Sequence, residues 1–216
     1  MSSAARIQYV SIQTRRERER AERERLIVTA ARELAETEGW GAVTTRRLAA
    51  EIEYSQPVLY SHFEGKGAIM TAVALEGFGE LAAELRTART GARDRRGALW
   101  AVAAAYTSFA GRRPALYDAM FTHLVDLPSA TQGAPAPLWE AFNELLWAVE
   151  PIAVGDDDPG PLTETFWAGL HGLATLMRSG RLPEPTHERR LALLVGHFAG
   201  RGRGSAARTH SGGSAS

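Results

Sequence analysis

Residues 43–66 read VTTRRLAAEIEYSQPVLYSHFEGK. Two short helical phrases lie on either side of a turn. The first, TRRLAAEI, follows Thr44, whose side-chain oxygen can accept an N–H from the first turn. The second, QPVLYSHF, follows Ser55, another capping type. It places Gln56 and Pro57 in the first turn, where proline's missing N–H removes no hydrogen bond. Two short helices joined by a tight turn and braced by a longer helix form a helix-turn-helix unit. In that unit the second helix enters the major groove with its N-terminal residues at base edges. A helix of about nine residues spans only roughly 13 Å, so it must dock on the helix before it.

This docking requirement sorts the side chains. Tyr54, Leu59 and Phe63 supply inward packing, and Val58 can pack inward or face a thymine methyl. Ser55, Gln56, Pro57, Tyr60, Ser61 and His62 remain outside. Gln56 can offer its amide to adenine, and the Pro57 ring offers a surface for a thymine methyl. Tyr60 and His62 are short-reach donors suited to phosphate. Thr44, Thr45 and Arg46 stand where a helix N-terminus presents free N–H groups to a phosphate. Lys66, the only lysine in the chain, opens the next helix and can meet a phosphate electrostatically, against the helix dipole. The same residues also fit a plain reading, with Tyr60 and His62 half-exposed on a packed helix and Thr44 as an ordinary cap.

Outward from this stretch, helical spacing dominates. Leu26, Ile27, Ala30, Ala31 and Leu34 form one stripe, and Gly39 stops the helix that carries them. The preceding run, 15–25, alternates Arg and Glu with Glu19–Arg23 in the favourable order. It reads as a solvated helix whose first arginines can still reach a phosphate or a minor groove. A longer helix covers 66–89. Further helices follow from ALWAVAAAYTSFAG, PALYDAMFTHLV, LWEAFNELLWAVEPIA, LTETFWAGLHGLATLMRSG and HERRLALLVGHFAG. No alternating strand and no repeat is visible. The expected fold is all-α, about nine helices, three short ones first. The expected organisation is a disordered arm (1–14), a helix-turn-helix domain (15–66), a C-terminal ligand-binding and dimerisation domain (67–200) and a disordered Gly/Ser/Arg tail (201–216), with 126–137 a loop.

Composition narrows the chemistry. The 216 residues contain no cysteine, which removes disulfides, thiolate zinc sites and cysteine nucleophiles and fits a reducing cytoplasm. Residues 1–66 carry eleven basic and ten acidic side chains, a net of +1, so placement rather than bulk charge would have to carry nucleic-acid binding. No window reads as a membrane span or secretory signal. There is no HExxH, no phosphate loop and no nucleophile elbow. The sequence therefore calls for no enzyme activity, no cofactor and no metal. GDDDPG (155–160) reads as a solvated loop rather than a cation site.

The stretch GWGAVTTRRLAAEIEYSQPVLYSHFEGKGAIM (39–70) resembles the DNA-binding segment of TetR-family transcriptional regulators. The matching positions are Gly39, Thr44, Leu48-Ala49, Ser55, Leu59-Tyr60, His62-Phe63, Lys66 and Ile69. FWAGLHGLATL resembles a Trp-x-x-x-His-Gly phrase of one C-terminal subgroup, at Trp167, His171 and Gly172. The resemblance implies a homodimer on a double-stranded, pseudo-palindromic operator, repression by default, and release by a small effector. It assigns phosphate contacts to Thr44, Tyr60, His62 and Lys66 and base contacts to Thr45-Arg46 and Gln56–Val58. One departure stands out. The turn, usually AGVS, reads IEYS, with Glu53 in the glycine's place, so a positive φ there would be strained. If the departure abolishes DNA binding, the alternative is a helical interaction or ligand-binding protein.

In the body, helices 162–179 and 186–199 are apolar on more than one face. Phe166, Leu170, Leu173, Met177, Leu191, Leu194, Val195 and Phe198 are the expected dimer contacts, with Gly169 and Gly172 allowing close approach. Aromatic residues are in surplus, and each alone is most simply core. The resemblance implies a cavity among these helices. The candidate effector contacts are Tyr106, Phe109, Tyr117, Phe121, His123, Trp139, Phe142, Asn143, Trp147, Trp167 and His171, pointing to a hydrophobic or aromatic effector in a cytoplasmic, nucleoid-associated protein.

Overall fold

The computed structural model describes residues 3–122 and 135–200. Nine α-helices and two 3₁₀ turns, and no strand, occur among them. The helices are α1 (Ser3–Glu38), α2 (Thr45–Glu51), α3 (Gln56–His62), α4 (Lys66–Thr90), α5 (Arg95–Arg112), α6 (Pro114–Phe121), α7 (Ala136–Val149), α8 (Pro159–Arg178) and α9 (His187–Ala199). The expected all-α class holds. Two details differ from the sequence reading. The first helix is 36 residues long rather than short, and it is helical from Ser3 where a disordered arm was expected. The chain also divides into compact units within α4, at 75/76 rather than 66/67, and residues 115–122 join the first unit. The tail 201–216, His123 and most of the loop at 126–137 lie outside the described residues.

The first unit contains the helix-turn-helix. α1 presents Ile27, Val28, Ala30, Ala31, Leu34 and Ala35 to its core, where they meet Val43, Leu48, Ala49, Leu59, Ile69 and Val73, all buried. α1 stops at Gly39, whose φ of 82° closes the helix with a bond from its N–H to the Ala35 carbonyl (2.8 Å). Trp40 then turns inward, and its indole N–H donates to the Ala115 carbonyl (2.8 Å). The Glu36 carboxylate accepts from the Ala115 and Leu116 N–H groups (3.1 and 3.0 Å). It thereby caps the start of α6 and satisfies donors that a helix N-terminus leaves open.

The turn between α2 and α3 is a Schellman motif. The Tyr54 N–H donates to the Ala49 carbonyl (2.8 Å) and the Glu53 N–H to that of Ala50 (3.3 Å). Such a motif places its C′ residue in the left-handed region, and Glu53 has φ 56°. α8 ends the same way, with Arg181 N–H to the Leu176 carbonyl and Gly180 N–H to that of Met177 (both 2.9 Å), and there the C′ residue is Gly180 at φ 69°. The strain expected at Glu53 is thus present, since a side chain in this region costs roughly 1–2 kcal/mol. Part of that is offset in the unfolded chain, where glycine is freer. Glu53→Gly is expected to stabilise the first unit by about 0.5–1 kcal/mol. Thermal denaturation checks this; a lowered midpoint would show that the Glu53 side chain outweighs its backbone strain.

The second unit is a helical body around Phe78, Leu81, Leu85, Leu99, Val102, Tyr106, Phe109, Leu145, Phe166, Leu170 and Phe198. Asp94 caps α5 by accepting from the Gly97 N–H (2.7 Å), and Asp158 caps α8 through the Gly160 N–H (2.9 Å). The Asp157 carboxylate accepts from the Val154 N–H (3.3 Å). Two members of the carboxylate loop therefore serve turns and caps. At the end of α4, Arg86 and Arg89 donate to the fully buried Glu144 of α7 (2.7 and 2.9 Å). Arg89 also lies over the Trp147 ring, 5.1 Å from its centroid.

Candidate nucleic-acid interface

α3 buries one residue, Leu59. Ser55, Gln56, Pro57, Val58, Tyr60 and Ser61 are all exposed, Val58 at 37% and Tyr60 at 52%. Of the two options for Val58, the outward one holds. Ser55 starts α3 with extended backbone (φ −78°, ψ 150°) but makes no side-chain cap, so its hydroxyl stays available. Thr44 does cap α2, its hydroxyl oxygen accepting from the Arg47 N–H (3.2 Å). Thr45 and Tyr60 share a hydroxyl–hydroxyl bond of 3.2 Å. That contact joins the start of α2 to the middle of α3 and fixes the phenol on the outer surface. Arg46 is exposed and has no ion-pair partner among the described residues. Its neighbour Arg47 is tied to Glu38 through two bonds (2.7 and 2.5 Å), so of the two adjacent arginines only Arg46 is offered outward.

Three expected contacts are engaged within the fold. The His62 side chain is 7% exposed, with Nδ1 3.4 Å from a Glu24 carboxylate oxygen, so it braces α3 against α1 instead of facing phosphate. Burial pushes the Glu24 carboxyl up, but hydrogen bonds from Arg20 and His62 outweigh it, leaving the group below the usual carboxylate range. Lys66 donates to the Trp40 carbonyl (2.5 Å); the ammonium that would oppose the α4 dipole satisfies the chain leaving α1. The Ser61 hydroxyl donates to the Val58 carbonyl (2.6 Å) on its own helix. Glu24, Glu38 and Trp40, which position these groups, escaped the sequence reading because their partners are 38, 9 and 26 residues away. The surface left open runs from Thr44–Arg46 across to Ser55–Val58 and Tyr60. It is an exposed, largely uncharged helix end carrying the guanidinium of Arg46, an amide and hydroxyls, the donor set for phosphates and base edges.

The candidate effector contacts fall in both units. In the first, Tyr117 is buried and meets Phe121 at a tilt of 50°, ring centroids 4.6 Å apart. In the second, Tyr106 and Phe109 are fully buried, and the Tyr106 hydroxyl accepts from the Trp167 indole N–H (2.9 Å). Phe142 joins Trp139 and Trp167 edge-on at 6.0 and 6.4 Å. Asn143 and His171 are half-buried, and burial, with Arg178 nearby, pushes the His171 imidazole below its ordinary value. Trp147 stands 45% exposed. Two surface clefts of about 580 and 320 Å³ flank Arg96, between the start of α5 and α9; none of the ten candidates among the described residues lines either.

Of the expected dimer contacts, Phe166, Leu170, Leu191, Val195 and Phe198 are buried within the single chain. The second apolar face assigned to them is therefore carried by others. Leu173, Met177 and Leu194 are half-buried, and Leu176 and Leu193 are exposed at 37% and 69%. Gly169 allows close approach inside the chain, since a Cβ there would stand 2.9 Å from Leu194.

Comparisons with known proteins agree with this geometry. Residues 27–73 match the family described as bacterial regulatory proteins, tetR family, and residues 99–198 match the Tetracyclin repressor-like C-terminal domain. An HTH-type transcriptional regulator of Mycobacterium tuberculosis is 27% identical over 160 residues, covering 71% of this chain and 69% of the relative. A solved protein of unknown function from Rhodococcus sp. RHA1 superposes with TM-score 0.69 at 25% identity, over 82% of this chain and 92% of that one. The structure of BioQ with its double-stranded DNA operator has the same fold, with TM-score 0.61 at 23% identity, over 82% of this chain and 98% of that one. The two family matches lie in register with the helix-turn-helix and with the helical body, and they make the chain a regulator rather than an enzyme. The chain belongs to the TetR family of DNA-binding transcriptional regulators.

Proposed function

We propose that this chain is a homodimeric repressor that a small hydrophobic or aromatic effector releases from a pseudo-palindromic operator. The observation that carries the reading is the exposed end of α3. A seven-residue helix anchored by one buried side chain offers Gln56, Pro57, Val58 and Tyr60 to solvent beside Arg46. The structure of BioQ with its operator supports a double-stranded partner. The outward apolar residues of α8 and α9, above all Leu176 and Leu193, support self-association, because a second apolar face needs a second partner. Two copies about a two-fold axis would place two α3 helices on one duplex face. The Tyr106–Trp167–Phe142 cluster supports an aromatic effector, since pockets are mostly apolar with few polar groups. Release then follows from tighter effector binding to a form whose α3 helices are misplaced, by the difference in the two affinities.

The experiment is selection of bound duplexes from random DNA by the purified chain, followed by affinity measurement with Arg46→Ala and Tyr60→Ala. Each variant is expected to weaken binding by about 1–3 kcal/mol, roughly 5- to 150-fold. Arg46→Ala should also relax the preference at one base position if it reads a base, and leave the preference intact if it holds a phosphate. Unchanged affinity in both variants would reject this surface as the DNA-reading one.

A further inference from the structure

α1 does not end where the packed head ends. From Thr14 onward its buried residues begin at Ile27, and the DNA-binding family match also begins at residue 27, yet the helix starts at Ser3. At a rise of about 1.5 Å per residue, the part before Ile27 prolongs the head by about 36 Å.

The register of that extension is informative. Arg16, Arg20 and Arg23 precede Ile27, Ala30 and Leu34 in steps of four, three, four, three and four. They therefore share one helix face. The face that packs into the head continues, turn after turn, as a basic stripe. Glu24 meets His62 at the C-terminal end of α3, so the stripe lies on the part of α1 that continues past this contact. The acids of the segment do not cancel the stripe. Glu19 is engaged by Arg15 (3.3 Å) and Glu24 by Arg20 (2.8 Å). Arg16 and Arg23 are exposed, with no ion-pair partner among the described residues.

A major groove is about 8.5 Å deep. With α3 seated in it, a phosphate ridge rises beside the helix, on the side where α1 continues past its C-terminal end. Guanidinium groups are the side chains best shaped to hold phosphate oxygens. We infer that Arg16 and Arg23 form a second DNA contact, on the phosphate backbone flanking the site that α3 reads. This rests on the DNA-binding reading above and adds to it a contact outside the family's matched segment. The contact is sequence-independent. It lengthens the footprint, steepens the salt dependence and leaves base preference to α3.

The test uses the full chain and the duplex recovered by selection, in a minimal form and in a form extended by about ten base pairs on each side. Arg16→Gln/Arg23→Gln removes two charges from the stripe. Arg18→Gln/Arg25→Gln removes two from the opposite face and serves as the control for bulk charge, and circular dichroism reports that each variant stays helical. The stripe variant is expected to lower the slope of log K against log salt by about 2 on the extended duplex. Its deficit against the native chain should narrow about tenfold between about 50 and 200 mM salt. On the minimal duplex it should match the native chain, and the control should match it on both. Equal losses in the two variants, or no loss in either, would overturn the inference. Failure of the native chain to prefer the recovered duplex would overturn the DNA reading itself, and this contact with it.

Discussion

Leu59→Ala is expected to detach the DNA-reading helix while leaving the helical body folded. Leu59 is the one buried residue of α3, and its exposure is zero. A seven-residue helix has no stability of its own in water, where isolated helices shorter than about 12 residues are marginal. The helix therefore exists only because it is docked. Truncating a fully buried leucine costs about 2–5 kcal/mol, depending on how far the site collapses. Here the loss falls on one short element that the Thr45–Tyr60 and Glu24–His62 contacts hold only from its edges. Faster amide exchange over 55–63 should accompany a DNA affinity reduced by about 30-fold or more. Exchange in α5, α8 and α9 should be unchanged. Leu59→Met, close in volume, should cost under about 1.5 kcal/mol and retain binding. Native exchange in α3 together with native affinity in Leu59→Ala would show that α3 is held by something other than this side chain.

Arg86→Ala/Arg89→Ala carries the largest expected stability loss in the body, about 3–5 kcal/mol. The argument turns on asymmetric burial. The Glu144 side chain has no exposure, whereas Arg86 keeps 53% and Arg89 24%. Removing both arginines strands a carboxylate away from water. Removing the carboxylate instead leaves two guanidiniums that can rotate into solvent. Glu144→Gln, which keeps hydrogen-bonding capacity and volume, should therefore destabilise by much less, about 1–2 kcal/mol. For a chain of this size the double arginine variant should lose about 6–20 °C of midpoint temperature. Equal losses in the arginine and glutamine variants would contradict the asymmetry.

Local rules made much of the fold legible. Thr44 caps α2, Gly39 ends α1, and Pro57 sits in the first turn of α3. Each depends on neighbours within four residues, so sequence spacing reveals it. Even the unusual Glu53 was readable, because the turn position dictates the backbone angle whatever residue stands there. Several misreadings involve partners distant in sequence. His62 and Lys66 are polar and follow exposed positions, so spacing put them outside; Glu24 and the Trp40 carbonyl hold them in. Arg47 looks as free as Arg46 until Glu38 folds back beside it. On α8 and α9, periodicity finds apolar residues but does not say which stripe faces its own chain. Phe166 and Phe198 meet each other inside, at 5.0 Å, which leaves Leu176 and Leu193 outward. Of α1, the part missed is 3–14, expected as a disordered arm; the Arg/Glu run 15–25 reads as helix from charge order such as Glu19–Arg23.

In the proposed function the exposed end of α3 reads duplex DNA. The most direct measurement is competition, at low and at physiological salt, between the duplex recovered by selection and a shuffled duplex of equal length. The native chain is expected to hold the recovered duplex about 10³-fold or more tightly over the shuffled one, with affinity for both falling as salt rises. Arg46→Ala with Tyr60→Ala should remove most of that margin. Equal retention of both duplexes at every salt concentration, or none of either at the lowest, would contradict the claim.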